Sequence, residues 1–533
     1  MTHDRRHDCA EVQRRDTPSY CFIMKILTIC FGLALAPALV QAQPEPGLGL
    51  LEVVRTTLAQ DPALQRQAAV VAGDEAAWHV ERAGFDPRLT TSFNRSSERS
   101  PVPSFDRTLL GASETITDAF TYAVGLERRF RSGLAIRPSV EVTRTNLSFT
   151  EIGMTDFPFL PAGNLARFNV LFSQPLLKGR GRRATAGRET AAALQRDAST
   201  STRRHLSSEQ VLAAVLAYWA YRAAWETHTI TQQSEQRARV LLQETETLVA
   251  ADQRPAADIE QVRADVADKT ALRIRSEQTL FEARQNLGRA MGLHHIDRAA
   301  QPHPLHDFPT GDGADSLDVP ALVALALAHR HDTRAARQRS QSARALRDAA
   351  SRNLQHALDL NVHLGYTGFI EGRDLEQYFT PLTENVSGLN FLVGLRYEIP
   401  FGNRDARGQY AQFQADYDAR RIEEDDHLRN IEINVVIAAQ DVQASQAERA
   451  QADAAVQYHR QALDNERKKF QQGFSTLFNV ILFQDRLTQA LTRSVRARQR
   501  VAAALARLRH ETGTLLPDEP TSFEAETVFT VPE

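Results

Sequence analysis

The chain has 533 residues, 42% hydrophobic and 24% charged, enough to bury a large core and to form more than one domain. Its 63 Lys and Arg against 66 Asp and Glu leave a formal charge of -3, without the basic surplus by which a nucleic-acid binder neutralises phosphates, so no nucleic-acid partner is expected. The three cysteines, Cys9, Cys21 and Cys30, all precede residue 42; once that segment is removed, disulfides, thiolate metal sites and cysteine chemistry are excluded.

The first element reads as an export signal. Met24-Lys25 leads into the apolar run Ile26 to Val40, and Val40-Gln41-Ala42 places small residues where a signal peptidase reads. The run is too short, and too soon followed by Pro44 and Pro46, to serve as a membrane-spanning helix. Residues 1–42 are therefore expected to be an N-terminal extension and a cleaved signal peptide, with Met24 as the start.

Beyond residue 42 the chain is written twice. Leu287 to Gly292 matches Leu508 to Gly513 at an offset of 221 residues, and the same offset sets Asp258-Ile259 on Asn479-Val480. Upstream the offset drifts as loops differ in length, yet Phe168 to Pro175 still answers Val393 to Pro400. Repeat one spans 48–293 and repeat two 318–513. A linker rich in Pro, Gly, His and Asp (294–317) joins them, and a tail (514–533) closes the chain.

Each repeat changes period twice, as helix, strand, strand, helix. Gly187 to Met291 and Arg407 to His510 are poor in Gly and Pro and rich in straight-chain helix formers, so they are expected to be very long helices. Phe483, Leu487, Leu491 and Val495 recur at four-residue spacing, an apolar stripe that must pack sideways on other helices. Asp252 to Pro255 and Gln472 to Ser475 interrupt the two runs at equivalent places and read as hairpin turns.

Between the helical arms the period becomes two. Leu358, Leu360, Val362, Leu364 and Tyr366 alternate with polar residues, and Val393, Leu395, Tyr397 and Ile399 return; Leu89 to Asn94 and Phe168 to Gln174 are their counterparts in repeat one. A transmembrane strand needs only about 9 to 11 residues. So few strands cannot close a barrel alone, and open edges are forbidden in hydrocarbon, so several copies must pool their strands. Repeat one also holds an extra hairpin over 120–146, turning at Arg131-Ser132-Gly133, which could add two membrane strands or form an extracellular ribbon; the ribbon is the favoured expectation.

This order resembles the TolC-type outer membrane efflux protein family over nearly the whole chain after residue 42. The matching pieces are Phe85-Asp86-Pro87, Ser173-Gln174-Pro175-Leu176-Leu177, Glu398 to Arg404, Gly473 to Val480, and the paired endings at Gly292 and Gly513. The resemblance implies an α+β membrane protein with an internal two-fold sequence repeat: long periplasmic α-helical hairpins and a transmembrane β-barrel shared between three subunits, twelve strands in all. It implies a passive exit duct in the cell outer membrane, opened when a periplasmic adaptor and an inner-membrane transporter dock. Drug efflux, metal efflux and type I protein secretion all fall within its range. By this analogy Arg254 and Pro255, with Gly473, Phe474 and Ser475, are the hairpin tips that touch the adaptor. Asp258, Asn479 and Leu482 fall at the periplasmic gate. Family members that carry two acidic residues at the second tip have Asn479 and Leu482 in their place here, so a neutral gate held by packing and hydrogen bonds is expected.

Sharper chemistry finds little footing. His294, His295, His303 and His306 suggest a metal site, but no cysteine supports them and solvated linker histidines are the simpler reading, so neither metal nor cofactor is expected. Lys178 to Arg183 resembles a phosphate loop yet lacks the Gly-Lys-Ser/Thr ending, and reads as a basic collar. Tyr218, Trp219, Tyr221 and Trp225 suit packing or anchoring at a membrane interface. No nucleophile elbow, His-Glu-x-x-His or recognisable carboxylate pair is present, so an enzyme is not expected. The competing expectation is a periplasmic coiled-coil adaptor or scaffold without a barrel.

Overall fold

The computed structural model describes residues 47–150, 162–296, 302–311, 317–374, 376–517 and 530–532. The export signal and most of the C-terminal tail lie outside them. In the first half come α1 (Leu50–Gln60), α2 (Pro62–Ala83), β1 (Arg88–Pro101), a short α3 (Ser104–Leu110), β2 (Glu114–Arg129), β3 (Ala135–Thr150), β4 (Gly163–Pro175), a turn α4 (Arg182–Thr185), α5 (Gly187–Ala250) and α6 (Ala257–Ala290). The second half has α7 (Val319–His329), α8 (His331–Asn353), β5 (Ala357–Glu371), a turn α9 (Glu376–Phe379), β6 (Asn390–Glu398), α10 (Arg404–Gln471) and α11 (Leu477–Glu511).

At 64 and 68 residues, α5 and α10 are each about 100 Å long at 1.5 Å per residue. Neither has a proline, and no helix among the described residues is long and apolar enough to cross a membrane. Both hairpins close with the same cap. Asp252 (φ 57°) and Gly473 (φ 81°) take the left-handed conformation, and the next amide reaches back five residues, Gln253 N–H to Leu248 O at 2.9 Å and Phe474 N–H to Lys469 O at 2.9 Å. The far ends repeat the device at Gly292 (φ 76°) and Gly513 (φ 74°). Those two glycines also allow close approach: a Cβ on Gly292 would lie 2.8 Å from the Gln60 backbone, and one on Gly513 3.1 Å from Arg330 N. Each therefore seats against the break between the two short helices of its half, at Asp61 or Arg330. Asp61 caps α2 by accepting from Ala63 N–H at 2.8 Å, with Pro62 in the first turn.

Helices pack side by side in the order α10, α11, α5, α6 toward the hairpin turns, and α2, α5, α8, α10 toward the sheet. One core is built on Tyr218, Trp219 and Tyr221, all fully buried. The linker covers them: Tyr221 donates to Pro302 O at 2.9 Å, Phe308 lies 5.6 Å from Trp219, and Leu50 N–H donates to His306 Nδ1 at 3.3 Å. The aromatic cluster thus serves packing and not a membrane interface. His303 lies 5.2 Å from Trp225 in the same cover.

The sheet is where sequence expectation and structure part. The six strands form one antiparallel sheet in the order β1-β2-β3-β4-β5-β6. The hairpin expected as a separate ribbon is β2 and β3, hydrogen-bonded between β1 and β4. Its turn is fixed to the helices: Arg131 forks onto Glu189 at 2.5 and 2.7 Å and lies over Phe85 at 4.7 Å, while Gly181 N–H donates to Ser132 O at 2.9 Å. The basic stretch Lys178 to Arg183 lies beside this turn as the strand-to-helix corner.

A polar cluster holds the Arg330 joint. The Arg330 guanidinium lies 2.7 Å from Asp332 and 2.5 Å from Glu511, and His427 approaches Asp332 at 3.1 Å. Burial would raise the Asp332 carboxyl, but His427 and Arg330 outweigh it and hold Asp332 well below the usual carboxylate range. His510, 2.9 Å from Ser208 Oγ, is lowered to about 4 by burial, with Arg330 acting in the same direction. In the unfolded chain this imidazole takes a proton near pH 6.5. Between that pH and about 4 the unfolded state binds the extra proton, so stability falls as pH drops through this window and is unaffected above it. Thermal denaturation of the purified protein should lose on the order of 3 kcal/mol from this group between pH 7 and pH 4; His510→Gln should flatten the slope, and an unchanged slope would contradict the assignment.

Candidate functional site

The residues expected at the docking tips and the gate lie at the hairpin turns, and the strands expected in the wall lie in the sheet. At the turns, Arg254 does not reach out to solvent. Its guanidinium lies over Phe470 of α10 at 4.5 Å, so the first turn is stacked on the second hairpin. Ser475 is half-buried and donates to Glu466, Asn479 Nδ2 donates to Ser475 Oγ at 3.4 Å, and Lys469 lies 3.5 Å from Glu466. The hydrogen bond from Ser475 is the main reason Glu466 stays below the ordinary carboxylate range. The bonds expected to be neutral at the second turn thus include a charged acceptor that the sequence did not single out. Pro255, Gly473 and Phe474 remain exposed, Phe474 to 82%. Asp258 sits in the first turn of α6, where a carboxylate is favoured by the helix dipole. Asn479 N–H donates to the Oγ1 of Thr476, the N-cap of α11, at 3.4 Å, and Leu482 is half-buried one turn on.

Beneath the turns Leu241, Val262 and Leu477 form a small buried cluster shared by α5, α6 and α11. Beyond it the two hairpins are joined by charge. Lys269 on α6, its side chain 7% exposed, bonds Asp485 of α11 and lies 3.3 Å from Asp265. Burial would lower the Lys269 ammonium, but Asp485 and Asp265 outweigh it and raise it. Asp265 is raised by burial, and its Oδ2 has no hydrogen-bond partner. Ser234 and Thr488 add a bond at 3.1 Å between α5 and α11. Sequence reasoning missed this bridge; the only signal available was a lysine within a helix whose other basic residues are arginines.

In the sheet, residues opposite one another share a face. Arg128, Ile136, Phe172, Val362 and Val393 make one transverse row over β2 to β6, and Thr91, Val124, Val140, Phe168 and Tyr366 another over β1 to β5. A third is Phe93, Tyr122, Val142, Ala166 and Gly368. Apart from Thr91 and Arg128 these rows carry no polar side chain from β1 to β6, with Phe93 exposed to 67% and Val393 to 61%. The opposite face is polar: Arg137 pairs with Glu127 at 2.8 Å, Arg167 with Glu141 at 3.2 Å, and Thr121 with Thr143 at 3.1 Å. The segment after β5 lies on the apolar face at the end away from the helices, where Tyr366 donates to Leu382 O at 3.2 Å and a Cβ on Gly368 would collide with Pro381 O.

No family model and no curated protein matches the sequence. Solved structures do match. The outer-membrane channel OprN superposes with a TM-score of 0.61 at 15% identity, over 87% of this chain and 90% of that one. The outer membrane protein VceC of Vibrio cholerae gives 0.59 at 17%, over 87% and 96%, and the CmeC outer membrane channel of Campylobacter jejuni gives 0.58 at 12%, over 87% and 86%. The chain therefore has the fold of these outer-membrane channels, the TolC type that the sequence resembles.

Replacing Lys269 by Met leaves the buried Asp265 and the half-buried Asp485 side by side without their cation. Breaking such a pair costs on the order of 3 kcal/mol. Hydrogen exchange in the facing stretches of α6 and α11 should accelerate by about a hundredfold, and Asp485→Asn in the same chain should restore part of the protection. Equal exchange in Lys269→Met and wild type would show that the bridge does not hold the hairpins together.

Proposed function

We propose that the protein is an outer-membrane channel subunit, a passive duct through which a tripartite efflux pump or type I secretion system passes its cargo. The observation that carries this reading is the sheet: one face largely apolar over all six strands, the other largely polar, and both edge strands, β1 and β6, without a strand on their outer sides among the described residues. A sheet with one face for lipid and one for water suits a barrel wall, and lipid allows no open edge. The missing partners are other copies of the chain. Exposed apolar residues flank the helical layer as well, with Leu272 and Ile274 on α6 and Ile433 and Ile437 on α10, which supports lateral packing of copies along the whole wall. Matching structures being outer-membrane channels, we take the assembly to be the homotrimer that the sequence resemblance implies.

In this reading the long helices stand in the periplasm below outer-membrane lipid, and the two halves are structural repeats. The four left-handed caps support that: 252 and 473, and 292 and 513, each differ by 221 residues. The turns form the entrance. Phe474, Gly473 and Pro255 are the surface offered to a periplasmic adaptor, itself bound to an inner-membrane transporter. Arg254 and Ser475 support that surface from within. Asp258, Asn479 and Leu482 line the gate, which opens by separating hairpins that Arg254–Phe470 stacking and the Lys269 bridge hold together. A periplasmic scaffold without a barrel leaves the apolar sheet face unexplained, so the duct is preferred.

Fractionation tests both parts of the proposal. The protein should stay with outer membranes through salt and alkaline washes and come out in detergent as a trimer; release without detergent would overturn the channel reading. Phe474→Asp should leave the trimer intact while reducing adaptor recovered by crosslinking at least tenfold, whereas undiminished recovery would remove the turn from the docking surface.

A further inference from the structure

The extra hairpin changes the size of the duct. The β2 and β3 strands are 16 residues each, well beyond the roughly 9 to 11 needed to cross a membrane. They are integral to the wall, since β1 reaches β4 only through them. They also carry the sheet's two-faced pattern: Val124, Val140 and Ile136 continue the apolar rows, and Glu127, Arg137 and Glu141 the polar face. Their turn is clamped to the start of α5 by the Arg131–Glu189 fork, so they begin at the helical junction with the other strands.

Geometry then restricts how the edges close. β1 leaves the helices and β6 returns to them, so β1 of one copy meets β6 of the next antiparallel. Most apolar residues of both edges are odd-numbered, Leu89 and Phe93 on one and Phe391, Val393, Leu395 and Tyr397 on the other, with Leu392 the even-numbered exception. An edge-to-edge ladder that sets odd opposite odd therefore keeps lipid and water faces continuous around the ring.

We propose that three copies close a barrel of eighteen strands, six from each, instead of the twelve that the family resemblance implies. This rests on the trimeric channel reading above. Diameter grows about in proportion to strand number. With strands about 4.8 Å apart and tilted by roughly 40°, opposite backbones lie roughly 36 Å apart against roughly 24 Å for twelve strands. That is the range in which porin barrels keep an open aqueous channel. The sheet region is then the wide part of the duct, and selection by size falls to the hairpin turns at the other end. The duct suits bulky cargo such as a solvated polypeptide as readily as small molecules.

The test uses the full-length protein in lipid nanodiscs, imaged by cryo-electron microscopy. A three-fold particle with eighteen strands and a wall about 36 Å across is the expected result; a trimer with twelve strands, or a closed ring of another copy number, overturns the inference. Cysteine pairs give a second readout that does not need the image. Ser92→Cys combined in turn with Leu392→Cys, Gly394→Cys or Arg396→Cys should crosslink between copies in at least one combination. Ser92→Cys with Asn169→Cys should not crosslink within a chain, because two strands stand between them; efficient crosslinking there would place β1 directly against β4 and overturn the proposal. A twelve-stranded trimer would leave the channel reading intact, whereas a protein released without detergent would remove that reading itself.

Discussion

Backbone hydrogen bonding in a water-free layer is the constraint on which the other features turn. A strand in hydrocarbon must have partners on both sides, since each unsatisfied amide or carbonyl there costs several kcal/mol. Among the described residues β2 to β5 have a strand on each side, and β1 and β6 have one on a single side. In the proposed barrel the subunit is in this sense unfinished, and these two edges run in opposite directions. The helical layer carries exposed apolar residues along both flanks. In the proposed assembly one lateral association satisfies the strand edges and covers the helix flanks together.

The helices are long because nothing in them stops helix formation, and they end where a residue takes the left-handed conformation. Asp252 and Gly473 place the two turns at matched positions; Gly292 and Gly513 do the same for the opposite ends. Glycine is required at the latter pair for a second reason, since backbone from the neighbouring short-helix break comes within about van der Waals contact of where a side chain would begin. The linker between the halves has structural work of its own: its carbonyls, Phe308 and two of its histidines cover the buried aromatic cluster of α5. This gives His303 and His306 a role without a metal.

At the turns the chain separates holding from presenting. Arg254 and Ser475 spend their polar groups on Phe470 and Glu466. Phe474, on the tight cap that follows Gly473, cannot be buried by its own hairpin and stays exposed. Further in, charge replaces packing. Lys269 between Asp265 and Asp485 makes a bridge whose loss of one member is costly and whose parts come from different hairpins. In the proposed duct a contact of that kind suits an entrance that stays closed until an adaptor docks.

The sequence by itself determined whatever depends on neighbours along the chain. Helix formers with few Gly and Pro made the long arms, breaks at 252–255 and 472–475 marked the turns, and alternation from Leu358 to Tyr366 made a strand. The 221-residue offset was readable because a cap needs the same residue geometry wherever it occurs. Only tertiary structure decided which strands are neighbours, because alternation states that a strand has two faces and not what its edges bond. The 120–146 hairpin looked separable on that ground, and the ladder placed it in the middle of the sheet. Long-range side-chain meetings such as Lys269 with Asp485, 216 residues apart, were equally invisible, since a charge acquires a partner only when packing fixes which helix faces which.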